Sequence, residues 1–473
     1  MGRMLSARAL QPSAANPSLR PPAESKTAAM PAPIAREKDP REANPALRVA
    51  FYCGLAFLFL RLGQVPEILF SLTKTSTPVL YVAAVPAFLG ALFAGSLART
   101  LRSAAARLWL LFFVWMIVAA PFSSWISGSI TRVLFYGRDE LPLLFIVGGL
   151  AVSWKDVRTV FYTFAGAGIF NLITAQLFAK ISDGRLSLSE MTLSLGNPND
   201  LASQLLLVLP FVLFIVLQKR NIVIRVLLLG VMGYGVYVAL GTASRGGLVA
   251  MAVQLAVLLY FASPKIRVVA LTTALGMGLA IPYLLPGDTV DRLSTVFGNS
   301  SLEAEESAMD RSYLFQQSVR YTVEHPLFGV GPDQFLNYEG KESQSHGWHG
   351  IWHATHCAYT QVSSECGLPG LIFFVAGLVA AVAVVVRLFQ TARRQGSTDI
   401  VTACFCYLVG MAGYLGAIAF LSDAYSFHLP AMIGLAISMS SAGRREIAKR
   451  SGRTASPPLV SSQLRANTTL AVS

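Results

Sequence analysis

Three stretches of this chain gather side chains that could do chemistry, and each borders an apolar run. In GTASRGG, residues 241–247, Arg245 lies where one apolar run ends and the next begins. A guanidinium so close to hydrocarbon needs an anionic partner or a water-filled cavity. Snorkelling to headgroups would satisfy it, but its planar fork matches phosphate oxygens, and a phosphate clamp is the preferred reading. The neighbouring glycines are expected to leave room for a ligand beside the backbone. In MDRSYLFQQSVRYTVEHPLFGVGPDQF, residues 309–335, a helix is expected over 302–324, capped near Ser300 or Ser301 and stopped by Pro326. Arg311 and Arg320 are nine residues apart, roughly 180° around that helix, so only one faces a given pocket. Arg320 has Glu324 at i+4 as an ion-pair partner, which leaves Arg311 for the site. His325 reads either as a cap at the helix end or as a substrate contact.

The third stretch, HGWHGIWHATHCAYTQVSSECGLPG at 346–370, spaces His346, His349, His353 and His356 by three and four. That spacing raises zinc, but Gly347 and Gly350 interrupt a helix and no acid sits between histidines as in H-E-x-x-H. No metal is expected. A proton acceptor suits an imidazole better, and His356, nearest the following apolar run, is the candidate. LGNPNDLASQ, residues 195–204, reads first as a helix start capped by Asn199 or Asp200.

The elements that hold these residues are membrane helices. The chain of 473 residues is 54% hydrophobic and only 13% charged, with mean hydropathy +0.55. A soluble domain carries about a quarter charged residues, so this is not a water-soluble enzyme. The net charge of +13 sits in short loops and tails between apolar runs, with no nucleic-acid motif. Apolar spans are read at 47–60, 79–97, 107–126, 141–153, 157–179, 201–217, 222–240, 246–262, 266–285, 369–389, 400–421 and 427–441. This is an all-α polytopic membrane protein of about 12 transmembrane helices. Residues 1–46 and 444–473 are expected to be disordered cytoplasmic tails. Alternate counting then places Arg99, Arg102 and Arg107, Lys155 and Arg158, Lys219 and Arg220, Lys265 and Arg267, and Arg387, Arg393 and Arg394 inside, as the positive-inside rule asks. The long polar loop 286–368, between the ninth and tenth spans, falls outside with all six histidines. A long loop of this kind is usually functional. Cys357 and Cys366 lie in that loop; a helix between them would hold them about 13 Å apart, too far for a disulfide.

The SRGG arginine, HPLFGVG, HCAYTQVSSECGLPGL and the GNPNDLA segment, in this order and around such a loop, resemble the O-antigen ligase and O-antigen polymerase family. The resemblance spans about residues 195–380, with 47–194 and 381–443 as flanking transmembrane helices. It implies a bacterial inner-membrane glycosyltransferase with cytoplasmic termini and a periplasmic catalytic loop. Such a protein moves a glycan from undecaprenyl diphosphate to a lipid A-core or to another lipid-linked glycan, as in O-antigen or exopolysaccharide synthesis. By resemblance Arg245 and Arg311 hold the diphosphate, His356 is catalytic, and Asn199 and His325 join substrate binding. Cys357 stands where the family has asparagine, which puts acceptor choice in question. The implied chemistry is inverting and metal-independent, with no cofactor, and a flippase and a chain-length regulator are the implied protein partners. A transporter or flippase of an anionic or lipid-linked solute is the competing class. It predicts inverted repeats and broken helices at mid-membrane, and no repeat is visible between the halves.

Overall fold

The apolar runs become helices because, away from water, only intrahelical bonds can satisfy a spanning backbone. The structure, a computed structural model, describes residues 45–182, 184–192, 194–294, 302–347 and 352–454. In chain order the helices are α1 (Pro45–Leu62), α2 (Val65–Thr73), α3 (Val79–Phe93), α4 (Ser96–Leu101), α5 (Ala104–Ala119), α6 (Ile126–Phe135), α7 (Pro142–Leu150) and α8 (Trp154–Phe178). A hairpin of β1 (Lys180–Ser182) and β2 (Arg185–Ser187) follows, antiparallel with Ile181 opposite Leu186. Then come α9 (Pro198–Gln218), α10 (Ile222–Gly241), α11 (Arg245–Phe261), α12 (Pro264–Leu284), α13 (Gly287–Ser294), α14 (Leu302–Glu324), α15 (Phe335–Ser345), α16 (Ala358–Arg394), α17 (Thr398–Ala417) and α18 (His428–Thr454). The protein is an all-α polytopic membrane protein. Each of the twelve apolar runs falls on a helix. Among the described residues eight helices are long and apolar enough to cross a membrane, with α3 and α11 shorter apolar helices.

Helices α9 and α17 pack on each other at the centre. The most apolar stretch of α9 is 78% buried within the protein, whereas that of α12 is 0% buried, though both are apolar enough to span. Hydropathy alone does not separate them, since lipid and protein interior accept the same side chains.

Three boundaries stand out. The tenth apolar run, read from 369, starts just after the break at Gly367 that divides α16, and a further helical segment from Ala358 precedes the break. Helix α18 continues to Thr454, past the expected tail boundary at 444; its polar end carries the ion pair Arg450–Glu446 at i,i+4 (3.0 Å). The expected N-terminal tail, and the C-terminal one beyond 454, lie outside the described residues, as do the caps sought at Ser300 and Ser301. Third, α9 is capped by Asn197, whose side chain accepts from Asn199 N (3.0 Å), with Pro198 as the first helical residue. Neither Asn199 nor Asp200 is the cap.

The break in α16 organises the outer loop. Gly367 has φ 68° and ψ −178°, so the carbonyls before it lose their helical donors. Val330 N donates to Ser364 O (2.8 Å), Gly331 N to Glu365 O (3.0 Å) and Trp115 Nε1 to Cys366 O (2.8 Å), while Leu368 N donates to Pro326 O (2.8 Å). The Glu365 carboxylate accepts from Asp333 N (2.9 Å) and Tyr425 Oη (2.7 Å). A Cβ at Gly367 would lie 2.1 Å from Leu327 O, and one at Gly329 2.4 Å from Glu365 C. HPLFGVG and SSECGLPG are therefore two halves of one joint. It ties α14, which carries Arg311, to the start of α16, just after His356.

Candidate functional site

Four arginines converge from four different elements. Ser244 caps α11 by accepting from Gly247 N (3.0 Å), which makes Arg245 the first residue of that helix, where backbone N–H groups favour an anion. Arg311, on α14, lines a narrow cleft with Asn199, Ser244, Gly246, Gly247, Ala417, Phe420 and Leu421. Arg185, on β2, donates from Nε to Thr242 O (3.1 Å) and from Nη2 to Asn199 Oδ1 (2.9 Å). Arg292 comes from α13. Burial, followed by the charges of Arg292, Arg311 and Arg245, pushes the Arg185 pKa down to about 10. Burial, then Arg245 and Arg292, lowers that of Arg311. Among the described residues neither Arg185 nor Arg311 is paired with a carboxylate. Arg185 and Arg311, buried beside other cations, suit an anion.

His356 stands beside this cluster. Its backbone is left-handed, φ 54°, an uncommon conformation for a side chain of this size, and its N–H donates to Ser422 Oγ (2.8 Å). Burial, then Arg311 and then His353, pushes its pKa down to about 4. The imidazole is therefore neutral at pH 7 and free to accept a proton.

The structure thus brings together Arg245, Arg311, His356 and Asn199. His325 is not brought to them. It ends the helix ~21 Å along α14 from Arg311, and its Nε2 pairs with Tyr338 Oη (3.2 Å). Arg320 is held by Glu324 (2.7 Å) and Glu342 (2.6 Å), facing away from the cleft as the helical spacing requires. Gly246 lines the cleft and also packs on Phe420, whose Cβ would be 2.6 Å from a new Cβ. Helix packing therefore calls for glycine there as well. Among the described residues no group of three or more His, Cys, Asp or Glu could hold a metal ion; His349 lies outside them. All five cysteines are free.

Arg185 and Arg292 escaped the sequence reading. A usable signal was present, because both sit in segments assigned to the outer side, where the positive-inside rule makes arginine uncommon.

Next to the cluster runs an apolar cavity of about 510 Å³, bounded by Leu248, Val249, Ala252, Gly278, Ile281, Pro282, Val290, Leu293 and Ser294. Leu248 lies one turn along α11 from Arg245, and Val290 and Leu293 flank Arg292 on α13. Cationic and greasy surfaces meet here.

No curated protein matches the chain. Residues 230–375 match the family model described as O-antigen ligase, a region that holds Arg245, Arg292, Arg311 and His356 but ends short of Arg185 and Asn199 on the N-terminal side. Over that region the chain is similar to the O-antigen ligase family.

Proposed function

We propose that this protein is a membrane glycosyltransferase that moves a glycan from a polyprenyl diphosphate, of the undecaprenyl type, onto a sugar hydroxyl of lipid A-core or of a second lipid-linked glycan. The reaction runs at the periplasmic face of the bacterial inner membrane. The observation that carries this reading is the clustering of Arg185, Arg245, Arg292 and Arg311 near one another and beside a neutral His356. A diphosphate matches the charge of Arg185 and Arg311, and the apolar cavity beside Leu248 and Leu293 accepts the first units of a prenyl chain.

In this reading His356 takes the proton of the attacking hydroxyl as its oxygen bonds to the anomeric carbon. The bond from that carbon to the diphosphate oxygen breaks, and the departing electron pair is stabilised by the guanidinium groups. Direct displacement inverts the anomeric centre. Asn199 acts one step back, holding Arg185 through its amide oxygen. Ligase and polymerase differ only in the acceptor.

The test is transfer by purified, liposome-reconstituted protein, using lipid-linked glycan extracted from a strain lacking it. Arg311→Ala is expected to lower the rate on the order of 10²–10³-fold, as for the loss of one electrostatic donor, and His356→Ala on the order of 10²–10⁴-fold. Wild-type rates in both variants would refute the proposal. So would movement of glycan across the bilayer with no new glycosidic bond, the outcome expected of a flippase.

A further inference from the structure

A second cavity, of about 340 Å³, lies one residue away from the arginine cleft. Asn199 and Leu421 line the cleft, while their neighbours Asp200 and Ser422 line the cavity. Ser422 Oγ also accepts from His356 N (2.8 Å), so the histidine's segment forms part of the partition. At the small end of the ~300–1,000 Å³ range of ligand pockets, this chamber is unlike an apolar one, because Arg61, Arg132, Asp200 and Asp423 all face it.

Its hydrogen bonding is incomplete. The Nε groups of Arg61 and Arg132 are buried without a partner, although Arg61 Nη2 reaches both oxygens of Glu140 (2.8 Å each). Asp423 accepts from Tyr414 Oη (3.0 Å), and no side-chain bond to the Asp200 carboxylate is found among the described residues. With two guanidinium groups and two carboxylates in its lining, the chamber suits a ligand offering acceptors to arginine and donors to aspartate. A sugar's hydroxyls do both at once. A diphosphate offers only acceptors and would meet two carboxylates.

We propose that this chamber seats the terminal sugar of the acceptor and presents one of its hydroxyls to His356. The inference rests on the glycosyl-transfer reading above. It follows the same geometry, since an inverting displacement needs nucleophile and leaving group on opposite sides of the reacting carbon. With the diphosphate on the arginines, the acceptor enters from the chamber.

The experiment uses the full-length protein in nanodiscs. One probe is undecaprenyl diphosphate. The other is the free oligosaccharide released by mild acid from lipid-linked glycan of a strain lacking the protein, titrated with undecaprenyl diphosphate saturating. Asp200→Asn and Arg132→Gln are each expected to weaken oligosaccharide binding about tenfold, the loss of one charge-assisted hydrogen bond, and to leave undecaprenyl diphosphate binding within about twofold, which also reports a folded protein. Asp423→Asn is the third variant, used if either of these does not fold. Arg311→Ala should do the reverse. Undiminished oligosaccharide binding in the folded chamber variants, no binding to the wild type, or loss of both ligands in all three variants overturns the assignment. Unchanged undecaprenyl diphosphate binding in Arg311→Ala instead overturns the glycosyl-transfer reading, whatever the chamber does.

Discussion

At the scale of single residues, His356 owes its chemistry to its surroundings. An unshifted imidazole would begin to lose base function near pH 6.5, but burial and Arg311 bring this one to about 4. The sign follows directly: the neutral base persists as pH falls through 6 and is lost only as pH approaches 4. We expect kcat/KM, which reports the free enzyme, to show no acid limb between pH 8 and about 5, and a pH–rate profile checks this. An acid limb centred near 6.5 would place His356 in a more solvated, less cationic setting. Cys357, next in the chain, is the N-cap of α16, with φ −153° and ψ 115° and no side-chain cap bond. Asparagine at that position suits the backbone and can accept from the first turn. Cys357→Asn should therefore stabilise the protein by about 0.5–2 kcal/mol, seen as a raised Tm in detergent.

At the scale of elements, the broken helix governs the site. Gly367 combines a left-handed φ of 68° with a carbonyl oxygen 2.1 Å from any added Cβ. Gly367→Ala should destabilise the joint by about 1–3 kcal/mol. Hydrogen exchange at Val330 and Gly331, whose N–H groups cap the freed carbonyls, is the direct measurement. Activity should fall with it, because the joint sets Arg311 against His356. Wild-type exchange at both amides would show that α16 tolerates a continuous helix.

At the scale of the whole molecule, the proposal needs the outer loop and the α16–α17 turn on opposite sides of the membrane. Ser345 and Gln395 are both exposed. With Cys357 replaced by serine, Ser345→Cys should react with an impermeant maleimide from the periplasm, and Gln395→Cys only after the inner membrane is opened. The reverse pattern would invert the topology and remove the site from its lipid-linked donor. Much of this level is written in the sequence. Runs of apolar residues determine helices wherever they fall, and the i+4 pairing of Arg320 with Glu324 was enough to turn Arg311 toward the site. The end of α14 was likewise legible, from a polar amphipathic stretch ending before Pro326. Tertiary structure alone decided the rest. Arg185, Arg292 and Arg311 meet only because a hairpin and two helices close on the start of α11. Gly246 packs against Phe420, and the chamber exists only where α1, α6, α9 and the segment before α18 face one another. Local pattern dictates which backbone forms, since its hydrogen bonds are satisfied within a few residues. Which charges become neighbours depends on packing between segments far apart in sequence, and no local spacing encodes it.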